Sequence, residues 1–117
     1  MITQFTSKYK FFSDAIIKRI EYINDIDNAK CTLDIRAYNW ETNRFDDFSF
    51  TFMDCIFFKF FESIKINSTV ISNALLKQEN DIITFDLFPL YFSENKIEEN
   101  INSDFIIKCK KIVFALS

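Results

Sequence analysis

The absence of glycine is the feature of this 117-residue sequence that most constrains its fold. Glycine ordinarily occupies turns with positive φ, so this chain must build such turns from other residues. Asn and Asp tolerate that conformation best among the remaining residues, and they stand at the predicted turns Asn24–Asn28 and Asn80–Asp81. The lack of glycine therefore does not forbid a hairpin-rich fold.

Missing residue types also exclude most catalytic motifs. Without glycine the chain lacks phosphate-binding loops, whose backbone must approach the phosphate closely. Without histidine it lacks Ser-His-Asp and Cys-His nucleophile pairs and every imidazole metal ligand. Two acid pairs remain, Asp46 with Asp47 and Asp81 with Asp86, but each lies where a turn or a solvated surface explains it. We expect a protein that is not an enzyme and that uses no cofactor or metal.

The cysteines and the absence of a leader indicate the compartment. Cys31, Cys55 and Cys109 are odd in number and widely spaced, which fits neither a disulfide framework nor a paired zinc motif. We expect buried free thiols in a reducing environment. The N-terminus has no secretory pattern, and no apolar stretch is long enough to cross a bilayer. These features predict a cytoplasmic protein.

The hydrophobic pattern predicts strands along most of the chain. The clearest alternation places on one face Cys31, Leu33, Ile35 and Ala37. The segment Ala15–Ile23 also suits a helix, but its Ile and Tyr content and the turn after it favour a strand of an antiparallel hairpin. The other predicted strands are Phe48–Met53, Ile56–Phe61, Ile83–Leu87 and Phe105–Leu116.

Three segments carry further structural expectations. Ile56–Phe61 is apolar on both sides, which predicts a central or helix-covered strand. Ser68 or Thr69 is suited to cap a short helix. The apolar face of that helix consists of Val70, Ile71, Ala74 and Leu75. In the last strand the inward set changes face at Lys110–Lys111, which indicates a bulge or a strand end.

Together these elements predict an α+β fold that is mainly β. We expect one domain, residues 1–117, built on a single twisted antiparallel sheet of about six strands. The sheet is expected to be partly closed, with one or two short helices packed against it. Lys8–Phe12 is either a short lead-in helix or an irregular stretch.

Two polar loops hold the residues that we expect to contact a partner. Residues 39–47 place Trp40 beside acids, and residues 93–104 are acidic. The candidate partner-binding residues are Trp40, Glu41, Asp46, Asp47, Glu94, Glu98 and Glu99. With 14 Lys and Arg against 17 Asp and Glu, the net charge of −3 favours a basic protein partner over duplex nucleic acid. The alternative interpretation is a solvated surface with Trp40 folded back onto the core.

The order of several segments resembles a known family. These segments are FFSDAIIKRIEYI, CTLDIRAYNW, FSFTF, NSTVISNALL and ITFDLF. Their layout, over most of the chain, is similar to that of small bacterial immunity proteins of contact-dependent growth inhibition and related polymorphic toxin systems. The resemblance implies a cytoplasmic protein that binds the toxic C-terminal domain of one cognate effector, often a basic nuclease. Binding then blocks the active site or the substrate path, with no direct contact to nucleic acid or membrane.

Two other functions are consistent with the same residues. Phe57 and Phe61 flank Lys59, and they form either ordinary core, an exposed apolar patch or the wall of a pocket. A Phe-lined cavity inside a curved sheet would make the protein a carrier of a small apolar ligand. An exposed edge strand would instead make it a homodimeric structural module, so both monomer and homodimer remain open.

Overall fold

The computed structural model describes residues 2–25, 27–60, 69–93 and 96–117. These ranges form one α-helix and eleven β-strands. The elements are α1 (Ile2–Tyr9), β1 (Ala15–Asp25), β2 (Asn28–Asn39), β3 (Arg44–Met53), β4 (Phe57–Phe60), β5 (Thr69–Ile71), β6 (Leu75–Glu79), β7 (Ile82–Asp86), β8 (Leu90–Ser93), β9 (Lys96–Glu98), β10 (Phe105–Cys109) and β11 (Lys111–Leu116). The mainly β prediction is confirmed.

The strands form three antiparallel sheets rather than one. A five-stranded sheet has the order β11-β3-β2-β1-β5, a four-stranded sheet has the order β4-β10-β7-β6, and β8 pairs with β9 alone. Within the described ranges the outer strands of the two larger sheets do not pair with each other, and β8 and β9 form a two-stranded ribbon, so none of the three sheets closes. The prediction of a single, partly closed sheet of about six strands is therefore wrong. The physical reason is a strand end at Lys110, because β10 pairs with β4 and β7 whereas β11 pairs with β3.

The first three strands form a meander, and the inner faces of the second and third strands were predicted correctly. Ala15–Ile23 lies within β1, and the strand interpretation is confirmed by its antiparallel pairing with β2. The alternating side chains Cys31, Leu33, Ile35 and Ala37 of β2 are all buried. The neighbouring strand β3 buries Phe48, Phe50 and Phe52 in the same way.

The predicted helix after Ser68 is wrong for the part of it that the structure describes. Ser68 itself lies outside the described residues, but Thr69–Ile71 forms β5 and pairs with Ala15–Ile17. Val70 is exposed and Ile71 is buried, which is the period of a strand. Pairing with the edge of the large sheet thus overrides the local capping signal.

The prediction of a central or helix-covered strand at Ile56–Phe61 is also wrong. In the described part of the chain β4 pairs with β10 on one side only and is the edge of its sheet. Phe57 is 48% exposed, and Phe58 is half-buried under a stacked contact with Tyr22 at 4.2 Å between ring centroids. A strand with aromatic residues on both faces therefore lies here at the edge of a sheet. Phe61 lies outside the described residues.

The main core lies between the two larger sheets and is filled with aromatic rings. Phe50 of β3 contacts Phe12 and Phe85 edge-on, at 5.8 and 5.9 Å between centroids. Phe52 stacks on Phe85 of β7 at 5.5 Å, which joins the five-stranded sheet to the four-stranded one. Helix α1 contacts both β2 and β6 and so spans the two sheets. Because these rings pack on one another, this part of the core holds side chains rather than an apolar ligand.

Positive φ confirms that Asn and Asp replace glycine at the predicted turn Asn80–Asp81. The described residues adopt positive φ at Asp14, Asn43, Asp54, Asn80 and Asp81. Asn80 and Asp81 form the two-residue turn between β6 and β7, where both central residues require φ above zero. The exceptions are three consecutive residues after α1, Lys10, Phe11 and Phe12, which have φ of 48°, 57° and 55°.

Candidate functional site

An open groove lies along the exposed face of α1. Its volume is about 770 Å³, which is within the usual range of ligand sites. We call it the α1 groove; its lining includes Thr3, Thr6, Ser7, Lys10, Trp40 and Tyr91. One concave surface is therefore formed by helix α1, the turn between β2 and β3, and strand β8.

The helix supplies the polar side of this groove because it is amphipathic. Ile2, Phe5 and Tyr9 are buried on one face. The opposite side carries Thr3, Thr6 and Ser7, which follow the three- and four-residue spacing of a helix face, and Lys10 extends this polar side from the left-handed turn after the helix. This pattern was not predicted from the sequence, since before β1 the helix candidate was Lys8–Phe12.

The left-handed turn after α1 forms the inner end of the groove. Non-glycine residues in this conformation cost about 1–2 kcal/mol each, so Lys10–Phe12 needs strong tertiary support. Phe12 is fully buried, and the Phe11 carbonyl accepts a 2.7 Å hydrogen bond from the Ala74 amide. The Lys8 carbonyl at the helix end accepts a 2.9 Å bond from the Trp40 amide. These bonds fix the β2–β3 turn beside the helix.

Trp40 stands on the groove with an exposed fraction of 46%. The Lys10 ammonium lies 4.0 Å from the centroid of its ring, which is a close cation–π contact. Tyr38 packs edge-on against the same ring at 4.9 Å. The interpretation in which Trp40 folds back onto the core does not describe this position, because nearly half of the side chain remains accessible.

Tyr91 faces the groove from the β8–β9 hairpin and is 55% exposed. The base of this hairpin is tied together by Asp86, a fully buried carboxylate. Asp86 Oδ1 accepts the Phe88 amide at 3.0 Å, and its Oδ2 accepts the Asn100 amide at 2.8 Å. The Asn100 side-chain amide then donates to the Phe88 carbonyl at 2.9 Å. Asp86, one of the acids considered for catalysis, therefore holds the backbone that presents Tyr91.

Asp46 is occupied by hydrogen bonds inside the chain. Its Oδ2 accepts from the Tyr9 hydroxyl and from Asn39 Nδ2, both at 2.9 Å. Burial, the bond to Asp46 and the negative charges of Asp46 and Glu41 raise the pKa of Tyr9. Asp46 thus joins α1 to the β2–β3 turn.

Asp47 and Glu99 form ion pairs within the chain. Asp47 contacts Lys18 at 2.9 Å and Arg36 at 3.3 Å, and the hydrogen bond from Lys18 lowers the pKa of Asp47. Glu99 contacts Lys108 at 2.7 Å and Lys77 at 3.3 Å, and chiefly the Lys108 bond lowers the pKa of Glu99. Both charges are already balanced by neighbouring cations, which reduces what each can offer to a partner.

The remaining predicted acids are Glu41, Glu98 and Glu94. Glu41 is exposed in the β2–β3 turn, where its backbone amide donates to Asn39 Oδ1 at 2.9 Å. Glu98 is exposed on β9. Glu94 lies outside the described residues. Of the predicted site residues that the structure describes, Trp40 is the one that lines the α1 groove, and Lys10 and Tyr91 line it without having been predicted.

The three cysteines are free in this structure. Cys31 and Cys109 are buried and Cys55 is half-buried, so the expectation of buried thiols holds for two of them. Burial raises the pKa of Cys31 and of Cys109 to about 12. Thiols in this state are poor nucleophiles.

The described residues offer neither a metal cluster nor a membrane-spanning helix. Among them, no group of three or more Cys, Asp or Glu side chains is placed to hold a metal ion. No helix within the described ranges is long and apolar enough to span a bilayer. Comparisons with protein-family models, with curated proteins and with solved structures find no match to this chain.

Proposed function

We propose that this chain is an immunity protein that binds a toxin domain at the α1 groove and neutralises it. The observation that carries the proposal is the pair of exposed aromatic side chains, Trp40 and Tyr91, that face one concave surface from separate elements. Trp and Tyr are the residue types that most often anchor protein interfaces. The resemblance in segment layout supplies the toxin as the kind of partner.

Exposed aromatic area next to the groove favours a protein partner over a small ligand. Phe45 is linked to Trp40 through Tyr38, whose ring contacts both, and Phe92 follows Tyr91 on β8; Phe45 and Phe92 are each more than half exposed. A partner large enough to cover these side chains removes apolar surface from water over a wider area than the groove alone.

A preformed surface suits an inhibitor that acts by occlusion. The Trp40 amide bond to Lys8 and the Asp86 bonds below Tyr91 order both anchors before binding. Less conformational entropy is then lost on association, which slows dissociation. Aromatic side chains supply most of the binding energy, because Asp46, Asp47 and Glu99 already have partners within the chain. Glu41 and Glu98 remain to steer a basic toxin.

The test begins with capture of the partner and ends with a growth assay. The tagged chain is used to capture proteins from the source cell, and the captured protein is then expressed alone and together with this chain. We expect the captured protein to stop growth alone and growth to recover on co-expression. Recovery is expected to fail with the double variant Trp40→Ala and Tyr91→Ala.

Phe57→Ala is the matched control. Phe57 is exposed to nearly the same extent as Trp40, but β4 lies at the opposite edge of the sheet from β6, which borders the groove. Growth should therefore recover fully with Phe57→Ala. A captured protein that is not toxic, or full recovery with the double variant, would refute the proposal.

A further inference from the structure

We infer that the α1 groove binds an acidic peptide segment of the partner, with its carboxylate at Lys10 and a neighbouring apolar side chain between Trp40 and Tyr91. This inference rests on the proposed function, because it names the chemistry of the segment that the partner inserts. It differs from steering by acidic loops, since the attracting charge inside the groove is positive.

The α1 groove carries a positive charge at Lys10. Of the described residues that line it, Lys10 is the one with a formal charge. Its ammonium lies over the Trp40 ring, and no carboxylate of the described residues forms an ion pair with it. By contrast, Lys18, Arg36 and Lys108 each have a carboxylate partner. Glu41, the nearest acid in sequence to Trp40, does not line the groove.

Neutral polar side chains also line the α1 groove. Thr3, Ser7 and Asn73 present hydroxyl and amide groups along the same groove. Such groups both donate and accept hydrogen bonds, which matches the alternating amide and carbonyl groups of an extended peptide. The hydroxyl-bearing residues lie on α1 and Asn73 lies between β5 and β6, so a peptide is contacted from both sides.

The aromatic residues Trp40 and Tyr91 provide the apolar part of the α1 groove. The Lys10 ammonium holds one side of Trp40, so a carboxylate at Lys10 lies directly beside the indole. An apolar side chain adjacent to that carboxylate then contacts Trp40 and Tyr91. A single cation attracts a polyanionic nucleic acid strand weakly, which favours the peptide over an oligonucleotide.

The experiment uses the purified full chain and a phage-displayed library of random peptides. A tag placed after Ser117 leaves α1 and the residues before it unmodified. We expect the selected sequences to be enriched in Asp or Glu next to an apolar residue. A synthetic peptide of the selected sequence is then titrated by fluorescence, since Trp40 is the single tryptophan of the chain and lies at the site.

Two variants and one control define the outcome. Lys10→Gln should weaken binding of that peptide about ten- to hundredfold and remove its salt dependence, and Lys10→Arg should restore both. Lys111→Gln, at an exposed position of β11, should bind like wild type. Selection of basic or uncharged peptides, selection of none, unchanged affinity of Lys10→Gln, or stronger binding of a thymidine oligonucleotide would each overturn the inference.

The two proposals fail in different ways. If acidic peptides bind as expected but the captured protein is not toxic, the peptide site stands and the immunity function falls. If toxicity is neutralised equally by wild type and Lys10→Gln, and no acidic peptide is selected, the immunity function stands and this inference falls.

Discussion

Replacing Asp86 with alanine is expected to destabilise the chain and to loosen the hairpin that carries Tyr91. The Asp86 side chain is fully buried and accepts the amides of Phe88 and Asn100, which precede and follow the β8–β9 hairpin. Alanine leaves both amides without these acceptors. Tyr91 then loses its fixed position on the α1 groove.

The expected loss of folding free energy follows from the two hydrogen bonds that Asp86 no longer accepts. A hydrogen bond to a carboxylate contributes about 1.5–3 kcal/mol, and we use the lower end because Phe88 and Asn100 lie close to the surface. The free energy of unfolding should therefore fall by about 3 kcal/mol, out of a total of about 5–15 kcal/mol for a domain of this kind. The corresponding fall in Tm is about 10 °C.

Urea denaturation followed by Trp40 fluorescence measures this loss. Asp104→Ala is the control, because Asp104 is exposed, and it should change the free energy of unfolding by less than about 0.5 kcal/mol. Amide hydrogen exchange should also become faster at Phe88 and Asn100 in Asp86→Ala. A loss below about 1 kcal/mol, with unchanged exchange at these two amides, would show that the bonds do not support the hairpin.

Two further predictions concern stability. Asp81→Gly should raise the free energy of unfolding by about 0.5–1 kcal/mol because Asp81 has φ of 65°. Gln78→Gly, in the exposed part of β6, should lower the free energy of unfolding. Thermal unfolding measures both changes, and a lower Tm for Asp81→Gly contradicts the reasoning. Stability should also fall as the pH rises from the ordinary thiol pKa of 9.0 to about 12, since the folded chain retains the protons of Cys31 and Cys109 that the unfolded chain loses. Cys31→Ala should flatten this decline, and a wild-type profile that stays level to pH 12 argues against it.

Local patterns were sufficient for the strands that alternate along one buried face. In β2 and β3 the side chains point alternately inward and outward over a long stretch, so the period of two is visible without knowledge of the neighbours. In β7 the predicted inward residues Ile83 and Phe85 are buried, but Thr84 and Asp86 are buried too, so both faces of this strand are covered. At Asn80–Asp81 the residue types alone indicated positive φ.

Sheet membership required contacts that no local pattern contains. The change of face at Lys110 was visible, but a bulge and a transfer to a second sheet have the same signature in sequence. Thr69–Ile71 is too short for its period to be distinguished from a helix, and its pairing with Ala15–Ile17 decides the outcome. The candidate site has the same difficulty, since Trp40 and Tyr91 line one groove although they are 51 positions apart in the chain.

Acidic residues were the least informative part of the sequence for the site. Asp46 is satisfied by Tyr9, which is 37 positions away, and Asp47 by Lys18, which is 29 positions away. A count of charges cannot distinguish an acid that is paired at long range from one that is free for a partner. The cation–π pair of Lys10 and Trp40 is hidden for the same reason.

The left-handed turn shows why this chain accepts strain where it does. At exposed turns such as Asn80–Asp81 the side chain makes little contribution, so the residues best suited to positive φ suffice. At Lys10–Phe12 the side chains themselves are required: Phe12 packs against Phe50 and Phe85, and Lys10 covers one side of Trp40. Glycine there would relieve the backbone but would remove both the core anchor and the charge of the groove. The strained turn therefore couples the packing of the two sheets to the surface that we propose binds the partner.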